Sequence, residues 1–266
     1  HIEWLVERYP FLETVYEFDD TFFATKFSWL KEFAASYKER IGLPWHCQTS
    51  PTTLNRKKLD LLIDAGLVYC EMGVQSGSEE IKSLFKRSES EDQVVKAAEL
   101  LHGYYLEGKI QTPRFHIITD VPWESPESVL MTINMLLKLP RPFKLAIGSL
   151  CLFPGTYLNE RAHEDGILWD EINQVYRKPF LYPEPNMLNW LIYASGVNWV
   201  PQDLLKKIAN NPSLMESVSP DSGTTTNRIT RGIHKATAIL DKVPRTLDAL
   251  RNRDFDRIRN SIQQPR

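Results

Sequence analysis

Carboxylates cluster at the end of one short apolar run, Thr14–Phe18, in this sequence. Glu17, Asp19 and Asp20 form the cluster, and such a group can bind an ammonium group or a metal ion, or transfer protons. An N-cap followed by a turn uses the same residue types for purely local reasons. That simpler interpretation is favoured for the cluster taken alone, and the sequence leaves both open.

A segment of small residues, Gly73–Ser78, joins a second apolar run to a helical pattern. Gln75, Ser76 and the backbone N–H groups of this segment can face a polar ligand. The segment lacks the GxxxxGK[ST] pattern of a phosphate-binding loop, and its two glycines serve a tight turn equally well. Glu71 precedes the segment, and Arg87 follows Gln75 by twelve residues. Taken alone, Arg87 is a surface arginine.

His116 lies inside a third run, Arg114–Thr119, and strand alternation places it on the same side as Asp120. A lone histidine in a strand is more often a hydrogen-bonded core residue than a ligand. No HExxH motif, Cys/His metal set or nucleophile–base pair stands out in the spacing. The residues therefore predict a polar rim at the carboxyl ends of strands, where parallel sheets bind ligands.

Composition and charge narrow the class of protein. The three cysteines, Cys47, Cys70 and Cys151, form no CxxC pair and no disulfide framework, and the formal net charge is −2. A net charge this small produces no electrostatic field that would attract the molecule to nucleic acid or an anionic membrane. The sequence has no run of 18 apolar residues, so no membrane span is predicted. We expect a cytoplasmic protein. Because the chain opens at His1 inside a helical pattern, we also expect that a further N-terminal part precedes it.

Short apolar runs alternate with helical patterns up to about residue 158, which predicts repeated βα units around a parallel sheet. Serines with acidic residues or proline after them mark helix starts near residues 78, 88–91 and 125. Residues 1–160 are predicted as the barrel and 161–266 as a mainly helical extension, with helices near 202–210 and 228–241. The predicted strands are Thr14–Phe18, Trp45–Thr49, Val68–Gly73, Arg114–Thr119 and Lys144–Leu152.

Five motifs in this order resemble the radical S-adenosylmethionine (radical SAM) superfamily, most closely its group in which a cobalamin-binding domain precedes the barrel. The resemblance implies an α/β fold, a partial (β/α)6 TIM-like barrel, in which the five predicted strands are the second to the sixth and the first strand is lacking. The motifs are FDDTF at 18–22, WHCQT at 45–49, AGLVYCEMGVQSGS at 65–78, FHIITDVP at 115–122 and LFPGTYL at 152–158.

The resemblance also implies cofactors. In the family, a CxxxCxxC loop after the first strand holds a 4Fe-4S cluster, and this sequence lacks that loop. S-adenosylmethionine would bind at the carboxyl ends of the strands, while the cluster ligands and any cobalamin domain would lie outside this chain. Asp120 replaces a glycine that is usual in relatives. The implied cofactor-binding residues are Asp19, Asp20, Glu71, Gln75, Ser76, Arg87 and His116.

The implied activity is reductive cleavage of S-adenosylmethionine or cobalamin-assisted methyl transfer, on an unspecified substrate and with a reductant protein such as flavodoxin or ferredoxin. The chain as given is expected to be inactive without the cluster loop, and no catalytic residue is assigned. Two alternatives stay open. One is a barrel without a cluster that acts as a binding or scaffold module. The other is an ordinary βα-barrel enzyme that uses Asp19, Asp20 and His116 for acid–base or metal-assisted chemistry.

Overall fold

Five parallel strands form a curled half-barrel in the computed structural model, which describes residues 1–211 except 182 and 185. Each strand pairs with the next one along the chain. The α/β class and the partial barrel predicted from the sequence are confirmed. The strands are β1 (Val15–Tyr16), β2 (Trp45–Thr49), β3 (Leu67–Gln75), β4 (Arg114–Thr119) and β5 (Lys144–Ser149).

Helices connect the strands and continue beyond the last one. The predicted helix near 202–210 is confirmed, and the one predicted at 228–241 lies outside the described residues. A short 3-10 helix spans Phe22–Ala24 and a π-helix spans Ile172–Tyr176. The α-helices are α1 (Ile2–Arg8), α2 (Phe27–Arg40), α3 (Arg56–Asp64), α4 (Glu79–Leu84), α5 (Glu91–Leu106), α6 (Pro126–Leu136), α7 (Tyr157–Glu164), α8 (Met187–Ser195) and α9 (Gln202–Ala209).

The serines that the sequence marks as helix starts do cap helices. Ser78, Ser90 and Ser125 each precede a helix, and each hydroxyl accepts a hydrogen bond from the backbone N–H three residues later. Such caps satisfy N–H groups that have no partner inside the helix. The strand-to-helix junctions are therefore specified locally.

The outer face of the sheet is apolar and packs against the helices. Trp45 is 1% exposed and its rings contact Phe22, Phe33 and Tyr37, while its indole N–H donates to the carbonyl of Ala65 at 3.0 Å. Alternate residues of the central strands, such as 47, 70, 72, 115 and 117, are also almost fully buried in this core. The core therefore fixes which side of each strand faces the inside of the half-barrel.

Helix α8 belongs to the same core although it follows the predicted boundary at residue 160. Leu188, Leu191 and Ile192 are buried in the hydrophobic cluster that also contains the sheet residues, and α8 packs against α6. The division into domains at residue 160 stays a prediction. The described part of the extension adds helices to the outer layer of the barrel.

Candidate functional site

The inner face of the half-barrel is polar and centres on Glu71, a buried carboxylate of β3 with 4% exposure. Arg114 donates to Oε1 of Glu71 at 2.9 Å, and Nε2 of His116 lies 2.8 Å from Oε2. Both partners start from β4, and the register sets Arg114 beside Glu71 and His116 beside Gly73. Two of the predicted residues, Glu71 and His116, are thereby brought together.

Glu71 is held in its charged form by these partners. Burial acts to raise the pKa of Glu71, but hydrogen bonds from His116 and Tyr16 and the charges of His116 and Arg114 outweigh it, so the pKa is lowered from its ordinary value. The same carboxylate raises the pKa of Tyr16, after burial as the first cause. Tyr16 and Arg114 are site residues that the sequence reasoning missed, because only the register brings them to Glu71.

A second group of predicted residues meets at the carboxyl end of β3. Gln75 has a left-handed backbone (φ +67°), and its amide nitrogen would lie 2.9 Å from a Cβ on Gly73. Arg87 donates to the carbonyl of Gly73 at 2.8 Å and forms an ion pair with Glu89, which is 5% exposed at its side chain. The missing side chain of Gly73 thus leaves room for the Gln75 amide and the Arg87 guanidinium, and both present hydrogen-bond donors at this end of β3.

Ser76 lies apart from these groups. It is 1% exposed, and its hydroxyl is 3.2 Å from the Thr132 hydroxyl of α6 and accepts from the N–H of Ser78 at 3.1 Å. The N–H of Gly77 donates to Thr132 at 2.8 Å. These backbone groups and the Ser76 hydroxyl are thus used inside the protein, and a role of Ser76 in cofactor binding stays a prediction.

Asp19 and Asp20 lie on an exposed loop after β1. The backbone N–H of Asp19 donates to Oε1 of Glu17 at 3.1 Å, which is the local turn that the sequence also allowed. Neither aspartate carboxylate forms a hydrogen bond or ion pair with a described residue. The two groups are free to bind a ligand, and no described contact joins them to His116.

Two acidic residues that the sequence reasoning did not select follow β4. Asp120 has a left-handed backbone (φ +57°), which aspartate tolerates better than most residues. Its carboxylate accepts from the N–H of Glu184 at 2.9 Å and from the amide of Asn189 at 2.6 Å. Asp120 therefore ties the start of α8 to the barrel rim.

Glu124 lies beside Asp120, and burial together with the negative charge of Asp120 raises the pKa of Glu124 to about 7. A carboxyl group that titrates near neutral pH can gain or lose a proton under working conditions, as general acids and bases do. Glu124 is a candidate for proton transfer at the rim. A pattern of residue types gives no signal for it, because its pKa depends on tertiary burial.

The cysteines do not form a metal centre. Cys47 and Cys70 are register partners on β2 and β3 and are buried in the outer-face core, and a hydrogen bond between them and burial raise the pKa of Cys47. Cys151 lies in the loop after β5. Within the described ranges, no three His, Cys, Asp or Glu side chains are grouped as metal ligands. The residues present therefore do not fit the ligand set of an iron–sulfur cluster.

Comparison with known proteins defines the class. Residues 24–136 match the model of the radical SAM superfamily. Coproporphyrinogen III oxidase (HemN) from Escherichia coli, described as a radical SAM enzyme, aligns with a TM-score of 0.50 and 17% identity over 65% of this chain and 41% of that chain. The radical SAM methyltransferase TsrM from Kitasatospora setae, with cobalamin and a [4Fe-4S] cluster bound, aligns with a TM-score of 0.50 and 18% identity, over 62% of this chain and 32% of that one. No curated protein sequence matches the chain.

The half-barrel of parallel strands and the superfamily match agree. Together they support membership of the radical SAM superfamily, whose model matches residues 24–136 of the 266. It spans about two fifths of HemN and a third of TsrM, and at these identities the two structures support the fold. Of the residues the structure describes, none forms a helix long and apolar enough to cross a membrane.

Proposed function

We propose that this chain is the cofactor-binding part of a radical SAM enzyme and that S-adenosylmethionine binds at the carboxyl ends of its strands. The observation that carries the proposal is the pair of donor side chains, Gln75 and Arg87, that pack over Gly73 at the carboxyl end of β3. Donor side chains at this end of the strands are suited to a ligand that carries a carboxylate.

The cofactor's charged groups suggest a role for each residue. Asp19 and Asp20 supply carboxylates for its ammonium group, and Arg87 and Gln75 supply donors for its carboxylate. His116, held by Glu71, presents its second ring nitrogen to a ribose hydroxyl. When bound, S-adenosylmethionine would supply the radical or methyl chemistry of the superfamily. Glu124 is placed to hold or release a proton at the rim.

The iron–sulfur cluster and any cobalamin belong to residues outside this chain in the proposal. The three cysteines do not provide the cluster ligands, and the hint of cobalamin comes from the group resemblance and from TsrM, whose structure contains it. A protein carrying this barrel together with a CxxxCxxC loop should yield 5′-deoxyadenosine or S-adenosylhomocysteine after anaerobic reconstitution with a reductant protein. If a protein with its full iron–sulfur cluster yielded neither product, the enzyme proposal would be contradicted.

Binding to the chain itself is tested by calorimetric titration with S-adenosylmethionine. We expect the double variant Asp19→Asn and Asp20→Asn to weaken binding about tenfold or more, because each lost charge removes a charge-assisted contact with the ammonium group. Asp64→Asn is the matched control, since Asp64 pairs with Lys38 on the surface of α2 and α3. Equal affinity in all three proteins would contradict the assignment of Asp19 and Asp20.

The alternative of an ordinary acid–base barrel is disfavoured by the geometry. It needs Asp19, Asp20 and His116 to converge, whereas the aspartates lie on an exposed loop and His116 is bonded to Glu71. In the described part of the chain, β1 is a two-residue strand at the edge of the sheet. This open edge is what a barrel lacking its first strand presents.

A further inference from the structure

At the amino-terminal ends of the strands, the inner face of the half-barrel carries more hydrogen-bond donors than acceptors. Arg114 and Lys144 are the first residues of β4 and β5 and are register partners. The Arg114 guanidinium carbon lies 5.6 Å from the centre of the Tyr69 ring, and the Lys144 ammonium lies 5.9 Å from it. Both cations therefore share one aromatic neighbour on the inner face of the sheet.

Acceptors for these groups are scarce. Glu71 is the carboxylate bonded to Arg114, and it also accepts from His116 and interacts with Tyr16. Lys144 forms no ion pair with any acidic residue in the described ranges. The side chain of Arg114 is 38% exposed, and Lys144 is also exposed. The two cations can thus be reached by a ligand, and one shared carboxylate leaves positive charge in excess.

Tyr69 supplies an independent observation. It is 5% exposed, and its buried hydroxyl has no described acceptor for its proton. Its pKa is raised to about 12, chiefly by burial, so the hydroxyl keeps its proton. Arg114, which lies next to it, has only donors and cannot accept that proton. A buried donor without an acceptor is costly, and the cost disappears if a ligand supplies the acceptor.

We propose that Arg114, Lys144 and Tyr69 form a binding site for an oxyanion, a carboxylate or phosphate group of the substrate. Carboxylates and phosphates are acceptors that guanidinium and ammonium groups bind strongly. The site lies five residues below the carboxyl ends of β4 and β5, about 16 Å at about 3.3 Å per residue. No described contact joins Lys144 or Tyr69 to Gln75, Arg87 or the two aspartates at the rim, whereas Arg114 is linked to His116 through Glu71. Its assignment to the substrate rests on the proposed function.

Two probes test the site in the purified chain, inorganic phosphate and acetate, added at constant ionic strength with chloride as the replaced anion. Binding is followed by ligand-observed NMR, which detects millimolar affinities. We expect saturable binding of at least one probe, and the preferred one tells whether the substrate group is a phosphate or a carboxylate. No saturable binding of either probe would overturn the proposal.

Variants separate a binding role from a structural one. Lys144→Gln, which breaks no described ion pair, should lower the affinity for the bound probe about tenfold. Arg114→Gln should lower it by at least as much. Tyr69→Phe should weaken it about threefold and still raise the melting temperature of the free protein, because it removes an unpaired buried hydroxyl. Lys138→Gln, which alters a surface pair with Glu91, is the control and should leave the affinity unchanged. Equal affinities in wild type and Lys144→Gln would overturn the proposal.

Titration with S-adenosylmethionine keeps the two proposals apart. Lys144→Gln should bind S-adenosylmethionine like the wild type, because no described contact joins Lys144 to the residues proposed to hold the cofactor. If the wild type binds S-adenosylmethionine but neither probe, the oxyanion site is wrong and the proposed function stands. If it binds a probe but not S-adenosylmethionine, the proposed function fails, and the oxyanion site stands without its assignment to a radical SAM substrate.

Discussion

The two faces of the same sheet differ in how their residues are satisfied. On the outer face, Trp45 and its apolar neighbours are buried by helices and are stabilised by packing. On the inner face, Glu71 and Arg114 are held by hydrogen bonds and charge, and the Tyr69 hydroxyl has no described acceptor for its proton. The outer face thus accounts for stability. The inner face keeps polar groups with unused hydrogen-bonding capacity, and a ligand can supply the missing partners.

Trp45 and His46 are adjacent in β2 and point to opposite faces, so they give the sharpest test of this difference. Trp45→Ala should lower the free energy of unfolding by about 3–5 kcal/mol, since it removes a large side chain from the packed core. His46→Ala should cost less than about 1 kcal/mol, because His46 is partly exposed on the inner face. Urea denaturation measures both, and equal losses would contradict the division into two faces.

Substitution of Gly77 tests how tightly α6 packs against the loop that follows β3. A Cβ at this position would lie 2.7 Å from Cα of Thr132 and 2.8 Å from the carbonyl oxygen of Met131 in α6. Gly77→Ala should therefore destabilise the protein by about 1–3 kcal/mol through overpacking. Gly103→Ala in α5 is the matched control, because the added methyl would meet no atom within 4 Å apart from its own helix backbone and chain neighbours, and it should stabilise by up to about 1 kcal/mol. Thermal unfolding of both variants provides the check.

Glu71 tests the inner face through pH. Its pKa is lowered in the folded protein, so its ionisation stabilises the fold above its unfolded pKa, and this contribution is lost as the pH falls through the folded value. Glu71→Gln should lower stability by about 1–2 kcal/mol at pH 7, a value reduced for the partial exposure of Arg114 and His116. The difference from wild type should shrink below about pH 4. A difference independent of pH would contradict the ionic interpretation.

Glu124 gives the opposite pH dependence at the rim. The pKa of Glu124 in the folded protein, about 7, lies above its ordinary value of 4.5. Burial of Glu124 therefore costs no stability while the group is protonated in acid, and the stability of the fold falls as the pH rises from 4.5 to 7. Glu124→Gln should therefore be more stable than the wild type by about 1 kcal/mol at pH 8, the value being reduced for partial exposure. Unfolding curves at pH 4.5 and pH 8 check this, and Glu127→Gln, at an exposed position three residues further along the chain, should show no such trend.

Local sequence determined much of this protein. Apolar runs predicted β2 and β4 to the residue, and serine caps marked the starts of three helices, because alternation and capping depend on neighbours in the chain. The five motifs in order indicated the superfamily. The strand Thr14–Phe18 was predicted too long, since β1 has a strand partner on one side only within the described residues.

Only the tertiary structure decided which polar residues share a site. The register of β3 and β4 sets Arg114 and His116 on Glu71, although the carboxylate is 43 and 45 residues away in sequence. Burial, which no short pattern encodes, is the main cause of the raised pKa of Glu124 and leaves the Tyr69 hydroxyl without an acceptor. The sequence alone thus specified the elements and the family. Packing decided which charges meet, because electrostatic interactions depend on distances and burial that arise between strands remote in the chain.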